Sequence, residues 1–100
     1  MKNPFDLLDR VLEHRVRLQI VSVLVANDGY DFNSLKVILN ITDGSMASHI
    51  KALEKEKYIS VFKAFVDRKP NTRYKITATG RAAFKKHVDA LEAVVRQQKK

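Results

Sequence analysis

A chain of one hundred residues with an apolar share of 45% and no cysteine can bury one modest core, which predicts a single domain and excludes a disulfide framework or any Cys-based zinc or iron–sulfur site. Charge is split along it: residues 1–50 hold five Lys/Arg against six Asp/Glu and residues 51–100 hold fourteen against five, so the net +8 belongs to the second half. A basic half attracts polyanions, with nucleic acid the first partner to test and an anionic membrane surface the second.

In chain order, Asn3-Pro4 opens a helix, and Phe5, Leu8, Val11 and Leu12 follow at spacings of three and four, predicting a short amphipathic helix over Asp6–Leu12. No run here or later approaches the roughly 18 apolar residues of a spanning helix, so a cytoplasmic protein without a membrane partner is expected. His14–Ala26, HRVRLQIVSVLVA, lines up Val16, Ile20, Val23 and Leu24 and widens that stripe with Leu18, Val21 and Val25. Such width predicts the helix at the centre of the core. Asn27-Asp28-Gly29 stops it, and Tyr30-Asp31-Phe32 forms a brief extended segment. Asn33 or Asp31 caps a helix over Ser34–Leu39 with Leu35, Ile38 and Leu39 inward. Thr42, reached through Asn40-Ile41, caps the next helix, Asp43–Lys55.

Two helices joined so closely form a helix-turn-helix, whose second helix can be offered to a groove of DNA. Ile59–Val66, ISVFKAFV, and Thr72–Thr77, TRYKIT, read as strands. Asp67-Arg68-Lys69-Pro70-Asn71 forms the charged loop of their hairpin. Thr77 caps a final helix over Ala78–Gln97, about 30 Å long, followed by a basic tail, Arg96–Lys100. The order is four helices, two strands and a helix, an α+β chain that is mostly α.

The helix Asp43–Lys55 carries the functional reading. With Met46, Ile50 and Leu53 facing the core, about 100° per residue places Gly44, Ser48, Lys51 and Lys55 on the opposite side, with Ser45 and His49 on the flanks. A helix entering the major groove brings its first turns nearest the base edges, where bulk would hold the backbone away. Gly44, Ser45, Ala47 and Ser48 permit close approach, and the N–H groups of the first turn can meet a phosphate. Lys51 and Lys55 stand where the sugar-phosphate wall returns, and position the helix. Thr42, Gly44, Ser45, Ser48, His49, Lys51, Lys55, Arg68, Lys69 and Arg73 make the candidate DNA-contacting set. His49 either touches a phosphate or closes the packing against the first helices. Arg17 is expected to pair with an acid or cap a carbonyl.

No metal site or cofactor is expected, because His14 and His87 lie on distant helices without cysteine or suitably spaced carboxylates. No catalytic motif appears, so an enzyme is not expected: there is no Gly-rich phosphate loop, no Cys nucleophile and no H-E-x-x-H. The last helix carries two apolar rows, Phe84, Val88, Leu91 and Val95 beside Ala83, Ala90 and Val94, a face wider than one short domain covers. Phe5, Leu8, Leu12, Phe84, Val88, Leu91 and Val95 are therefore expected in a homodimer interface.

MASHIKALEKEKYI resembles the recognition-helix segment of the MarR/ArsR-like winged-helix transcriptional regulators. RVRLQIVSVL resembles their preceding core helix with its Arg, and DRKPNTRYKITATGRAAF resembles their wing and the Thr-x-x-Gly start of their last helix. The likeness runs over about residues 7 to 95 and is nearest to the compact winged-helix DNA-binding domains. It implies a winged helix-turn-helix with a two-stranded wing and a long C-terminal helix. It further implies a homodimer on a pseudo-palindromic operator of double-stranded DNA, with Asp43–Lys55 in the major groove and Arg68 and Lys69 at the minor groove or its phosphates. Lys57 departs from the pattern, standing where the family carries glycine; a left-handed backbone there costs roughly 1 kcal/mol. With no segment left over to recruit polymerase, repression is the expected mode. A small-molecule effector, if there is one, would enter between the terminal helices and the DNA-binding part. The rival readings are a winged helix used for protein contact and a nonspecific architectural DNA-binding protein.

Overall fold

The computed structural model describes residues 3–98; Lys99 and Lys100 of the basic tail lie outside them. A short 3-10 helix, Pro4–Leu7, leads through turns into α1 (Arg15–Ala26), β1 (Tyr30–Asp31), α2 (Phe32–Leu39), α3 (Asp43–Lys55), β2 (Ile59–Val66), β3 (Lys69–Ile76) and α4 (Ala78–Gln97). The sheet is antiparallel in the order β1-β3-β2. Leu12, Ile20, Val21, Leu24, Leu35, Met46, Ile50, Leu53, Ile59 and Tyr74 form the buried core, so α1 lies at its centre as its broad apolar stripe requires.

The expected helix over Asp6–Leu12 is absent. Asp9 explains the break, because its Oδ1 accepts the N–H groups of Val11 at 2.8 Å and Leu12 at 3.3 Å, while its own N–H donates to His87 Nδ1 at 2.9 Å. Backbone groups committed to a side chain and to α4 cannot join a helical ladder. The resulting turn drives Leu12 wholly into the core of the chain, which removes it from the expected dimer interface. α1 itself starts one residue late, since His14 is its N-cap, with Nδ1 accepting from the Val16 N–H.

Asp31, rather than Asn33, caps α2 by accepting from the Ser34 N–H at 3.1 Å, and the helix begins at Phe32. Ile38 points outward, 53% exposed, against the expectation that it faces the core. The extended segment before α2 is a true strand: Tyr30 pairs with Tyr74 and Asp31 with Arg73, giving the sheet a third strand.

The hairpin is tighter than the five-residue loop expected from its composition. Val66 pairs with Lys69, leaving Asp67 and Arg68 as the whole turn with φ of 52° and 67°. Two positive φ values in a two-residue loop make a type I′ turn, whose twist matches that of the strands. Pro70 fits the strand because hydrogen-bonded and non-bonded pairs alternate from the turn outward. Phe65↔Pro70 takes the non-bonded place, so the N–H that proline lacks is not one β2 would use.

Candidate nucleic-acid interface

Thr42 opens α3, its Oγ1 accepting from the Ser45 N–H at 3.1 Å. Asp43 in the first turn ion-pairs with Lys36 of α2 at 2.6 Å. That pair braces the turn at Asn40, whose φ of 53° is left-handed, a conformation asparagine tolerates better than most side chains. Met46, Ile50 and Leu53 are buried. Gly44, Ala47, Ser48, Lys51 and Lys55 are exposed on the other side, and Ser45 and His49 are half-buried at the edge, as the helical spacing predicts.

Gly44 is informative because a Cβ placed on it would meet nothing within 4 Å. Packing inside the chain therefore does not require glycine, although alanine would suit the helix better. The first turn of α3 therefore presents a slender, exposed front that the fold itself does not demand.

On the wing, Arg68 occupies the turn and Lys69 the first strand pair. Among the described residues none of Lys51, Lys55, Arg68 and Lys69 is ion-paired, so these cations remain available to an anion. A groove of about 490 Å³ lies between α3 and the base of the sheet, lined by Phe32, Ala47, Ser48, Ile50, Lys51, Glu54 and Tyr74. Arg73 is set apart from this group: it is half-buried on β3, in register with Asp31 and Phe62, and its guanidinium donates to Asn71 Oδ1 at 3.3 Å. Sequence reading passed over Phe65, which is 78% exposed on the wing; its aromatic side chain within a cationic hairpin was the available clue.

The exit of α3 is fixed by a Schellman motif. Lys57 N–H donates to the Glu54 carbonyl at 2.9 Å and Tyr58 N–H to the Leu53 carbonyl at 3.0 Å, with Lys57 left-handed at φ 61°, in the place where glycine is usual. Beyond it the Tyr58 hydroxyl donates to Asp9 Oδ2. Burial first, then this bond and the Asp9 charge, push the Tyr58 hydroxyl well above the ordinary tyrosine value. Asp9 in turn donates its N–H to His87, which is buried on α4. This Tyr58–Asp9–His87 chain joins the exit of α3 to both terminal segments, and nothing in local sequence spacing announces it. His49 packs against α1, where Arg17 Nε donates to its Nδ1 at 3.2 Å. Arg17 thus meets an imidazole, neither the acid nor the carbonyl expected of it.

Of the expected dimer residues, Phe5, Leu91 and Val95 are exposed, whereas Leu8, Phe84 and Val88 are half-buried. Phe84 packs against its own core. Leu7, exposed beside Phe5, extends the uncovered apolar strip and lines a cleft against α4 with Ala82, Ala90 and Ala93.

A family model for the winged helix DNA-binding domain matches residues 16–95. An uncharacterised protein of Methanocaldococcus jannaschii is 34% identical over 79 residues, which are 79% of this chain and 86% of that protein. Among solved structures, a transcriptional regulator homologue from Pyrococcus horikoshii superposes with a TM-score of 0.84 at 29% identity, over 92% of this chain and 91% of that one. A MarR-family transcriptional regulator from Silicibacter pomeroyi shares the fold, with a TM-score of 0.63 at 16% identity over 83% of this chain and 55% of that one. With its capped, slim-fronted α3 followed by a cationic hairpin, and with the family match spanning all of α2 to β3, the chain belongs to the winged helix DNA-binding domain family and has MarR-type transcriptional regulators among its structural neighbours.

Proposed function

We propose that the chain is a sequence-specific transcriptional regulator that binds a pseudo-palindromic operator in double-stranded DNA as a homodimer. The observation that carries this reading is the exposed edge of α3, where Gly44 is sterically unnecessary to the fold and Lys51 and Lys55, without ion pairs among the described residues, follow on the same side. Thr42, Ser45 and Ser48 lie along the edge that approaches the bases, and Lys51 and Lys55 meet the backbone. Arg68 and Lys69 reach the neighbouring minor groove or its phosphates, with Arg73 behind them. The uncovered strip of Phe5, Leu91 and Val95 pairs two subunits, and the symmetry of the pair selects a palindrome with half-sites about 34–36 Å apart. Repression by occupancy needs only DNA contact and pairing, both of which these surfaces offer. A small-molecule effector would enter between the terminal helices and the DNA-binding part.

Selection of bound duplexes from a random pool, repeated with Lys51→Ala and Arg68→Ala, tests the reading. A shared palindromic motif is expected, with both variants losing affinity across all sequences and showing shallower salt dependence. Selected duplexes bound no better than random ones would point instead to a protein-contact module or an architectural role.

A further inference from the structure

Three side chains that bear or accept protons meet where α1 passes α3. Arg17 Nε donates to His49 Nδ1 at 3.2 Å, and the His14 ring lies 4.2 Å from that of His49, centroid to centroid, tilted by 48°. His14 uses its own Nδ1 to cap α1. Each imidazole therefore accepts at Nδ1, which leaves the hydrogen of the neutral ring on Nε2. No carboxylate joins them: among the described residues Arg17 has no ion pair, and the charged groups acting on His49 are His14 and Arg17. Burial, reinforced by these two neighbours, holds His49 below the ordinary imidazole value. His14 is exposed, His49 and Arg17 are half-buried, and Ser45 precedes His49 by one helical turn on the same edge of α3.

A guanidinium tethered to a neutral imidazole with no acid beside it is a charge in want of an anion. We propose that Arg17, His49 and His14 form a seat for one backbone phosphate of duplex DNA, on the flank of the recognition helix. This rests on the DNA-binding reading above and adds residues to it, since Arg17 and His14 belong to α1 and its cap. The phosphate charge favours protonated His49. A proton from solvent adds to His49 Nδ1, which can then no longer accept, so the Arg17 Nε–H leaves it and the guanidinium fork turns to the phosphate oxygens. The free protein thus keeps Arg17 parked on neutral His49, and the complex carries one proton more.

The sign of the pH dependence follows from linkage. Between the depressed value of free His49 and its raised value in the complex, binding takes up a proton, so affinity increases as pH falls and levels off outside that window.

Anisotropy of a labelled duplex at fixed salt is expected to show roughly tenfold tighter binding near pH 6 than near pH 8. His49→Asn, whose amide oxygen stands where Nδ1 does and so can still accept from Arg17 without titrating, should bind with a much shallower pH profile, and Arg17→Gln should lower the salt slope by about one phosphate. Thermal melting of each variant checks the fold. Imidazole nitrogen NMR of the wild type gives a readout independent of any variant: the His49 titration midpoint should rise when duplex is added. A flat wild-type profile, a wild-type pH slope retained in full in His49→Asn, or a His49 midpoint unmoved by duplex overturns the seat while leaving DNA binding intact. A midpoint moved by inorganic phosphate but not by duplex overturns it in favour of a free small anion. Failure of the wild type to bind any duplex at either pH overturns the seat and the DNA-binding reading together.

Discussion

A Cβ built on Gly80 would stand 2.0 Å from the carbonyl oxygen of Tyr58 and 2.8 Å from its carbonyl carbon. The first turn of α4 is pressed onto the backbone that leaves α3, and Thr77 holds it there. The Thr77 N–H donates to the Tyr58 carbonyl at 3.0 Å, and Thr77 Oγ1 reaches the Lys57 carbonyl at 2.6 Å while accepting from the Gly80 N–H at 2.9 Å. The Thr-x-x-Gly pattern is therefore a contact of α4 with the segment leaving α3 as well as a cap. Gly80→Ala must displace backbone, and a destabilisation of about 3 kcal/mol, at the upper end for overpacking, is expected in urea unfolding. A loss near zero would mean that α4 can lift from Tyr58 freely.

Lys57 is a residue in a glycine's place. Its φ of 61° costs it conformational energy that glycine would not pay, while glycine loses more backbone freedom on folding. The first effect is the larger for a side chain with a Cβ in this region, so Lys57→Gly is expected to raise unfolding free energy by about 0.5–1 kcal/mol. A lower urea midpoint in the variant would show that the Lys57 side chain contributes contacts outweighing the strain.

Where structure followed from nearby residues, the sequence was readable: α3, β2 and α4 have the boundaries that capping threonines and apolar spacing indicate. The N-terminal segment was not readable, because its conformation is set by His87, 78 positions away, and an amphipathic pattern looks the same whether or not Asp9 finds that partner. The wing loop departs from its composition for a related reason. Pro70 and Asn71 suit loops by composition, but register decides whether a missing N–H matters. In the candidate site, the front of α3 and its lysines were legible from helical geometry. The contact of Arg17 with His49 was not, since it depends on how α1 and α3 cross.

Gly44 separates the needs of the fold from those of a partner. With nothing within 4 Å of its virtual Cβ, Gly44→Ala should stabilise the chain by about 0.5 kcal/mol through helix propensity, and Gly44→Leu should fold as well. Neither gain should appear in DNA binding. Affinity for the selected duplex is expected to fall modestly with alanine and by more than tenfold, about 1.4 kcal/mol, with leucine, because its side chain holds α3 off the groove floor. Equal affinity for the leucine variant would show that the first turn of α3 does not approach DNA closely.

The apolar strip on α4 makes a separate demand. Leu91 and Val95 are 38% and 55% exposed, so charging them should leave the subunit core unharmed. In the proposed two-fold interface the double variant Leu91→Asp/Val95→Asp acts at four places, each forfeiting about 1.5 kcal/mol or more of apolar burial. A monomer by light scattering is expected, with thermal stability of the subunit kept apart from what pairing contributes. Affinity for a half-site should then persist while the advantage of the full palindrome disappears, because the monomer retains α3 and the wing. A variant that stays dimeric would move the interface elsewhere, and the outward Val37 and Ile38 of α2, 76% and 53% exposed, are the next apolar pair able to supply it.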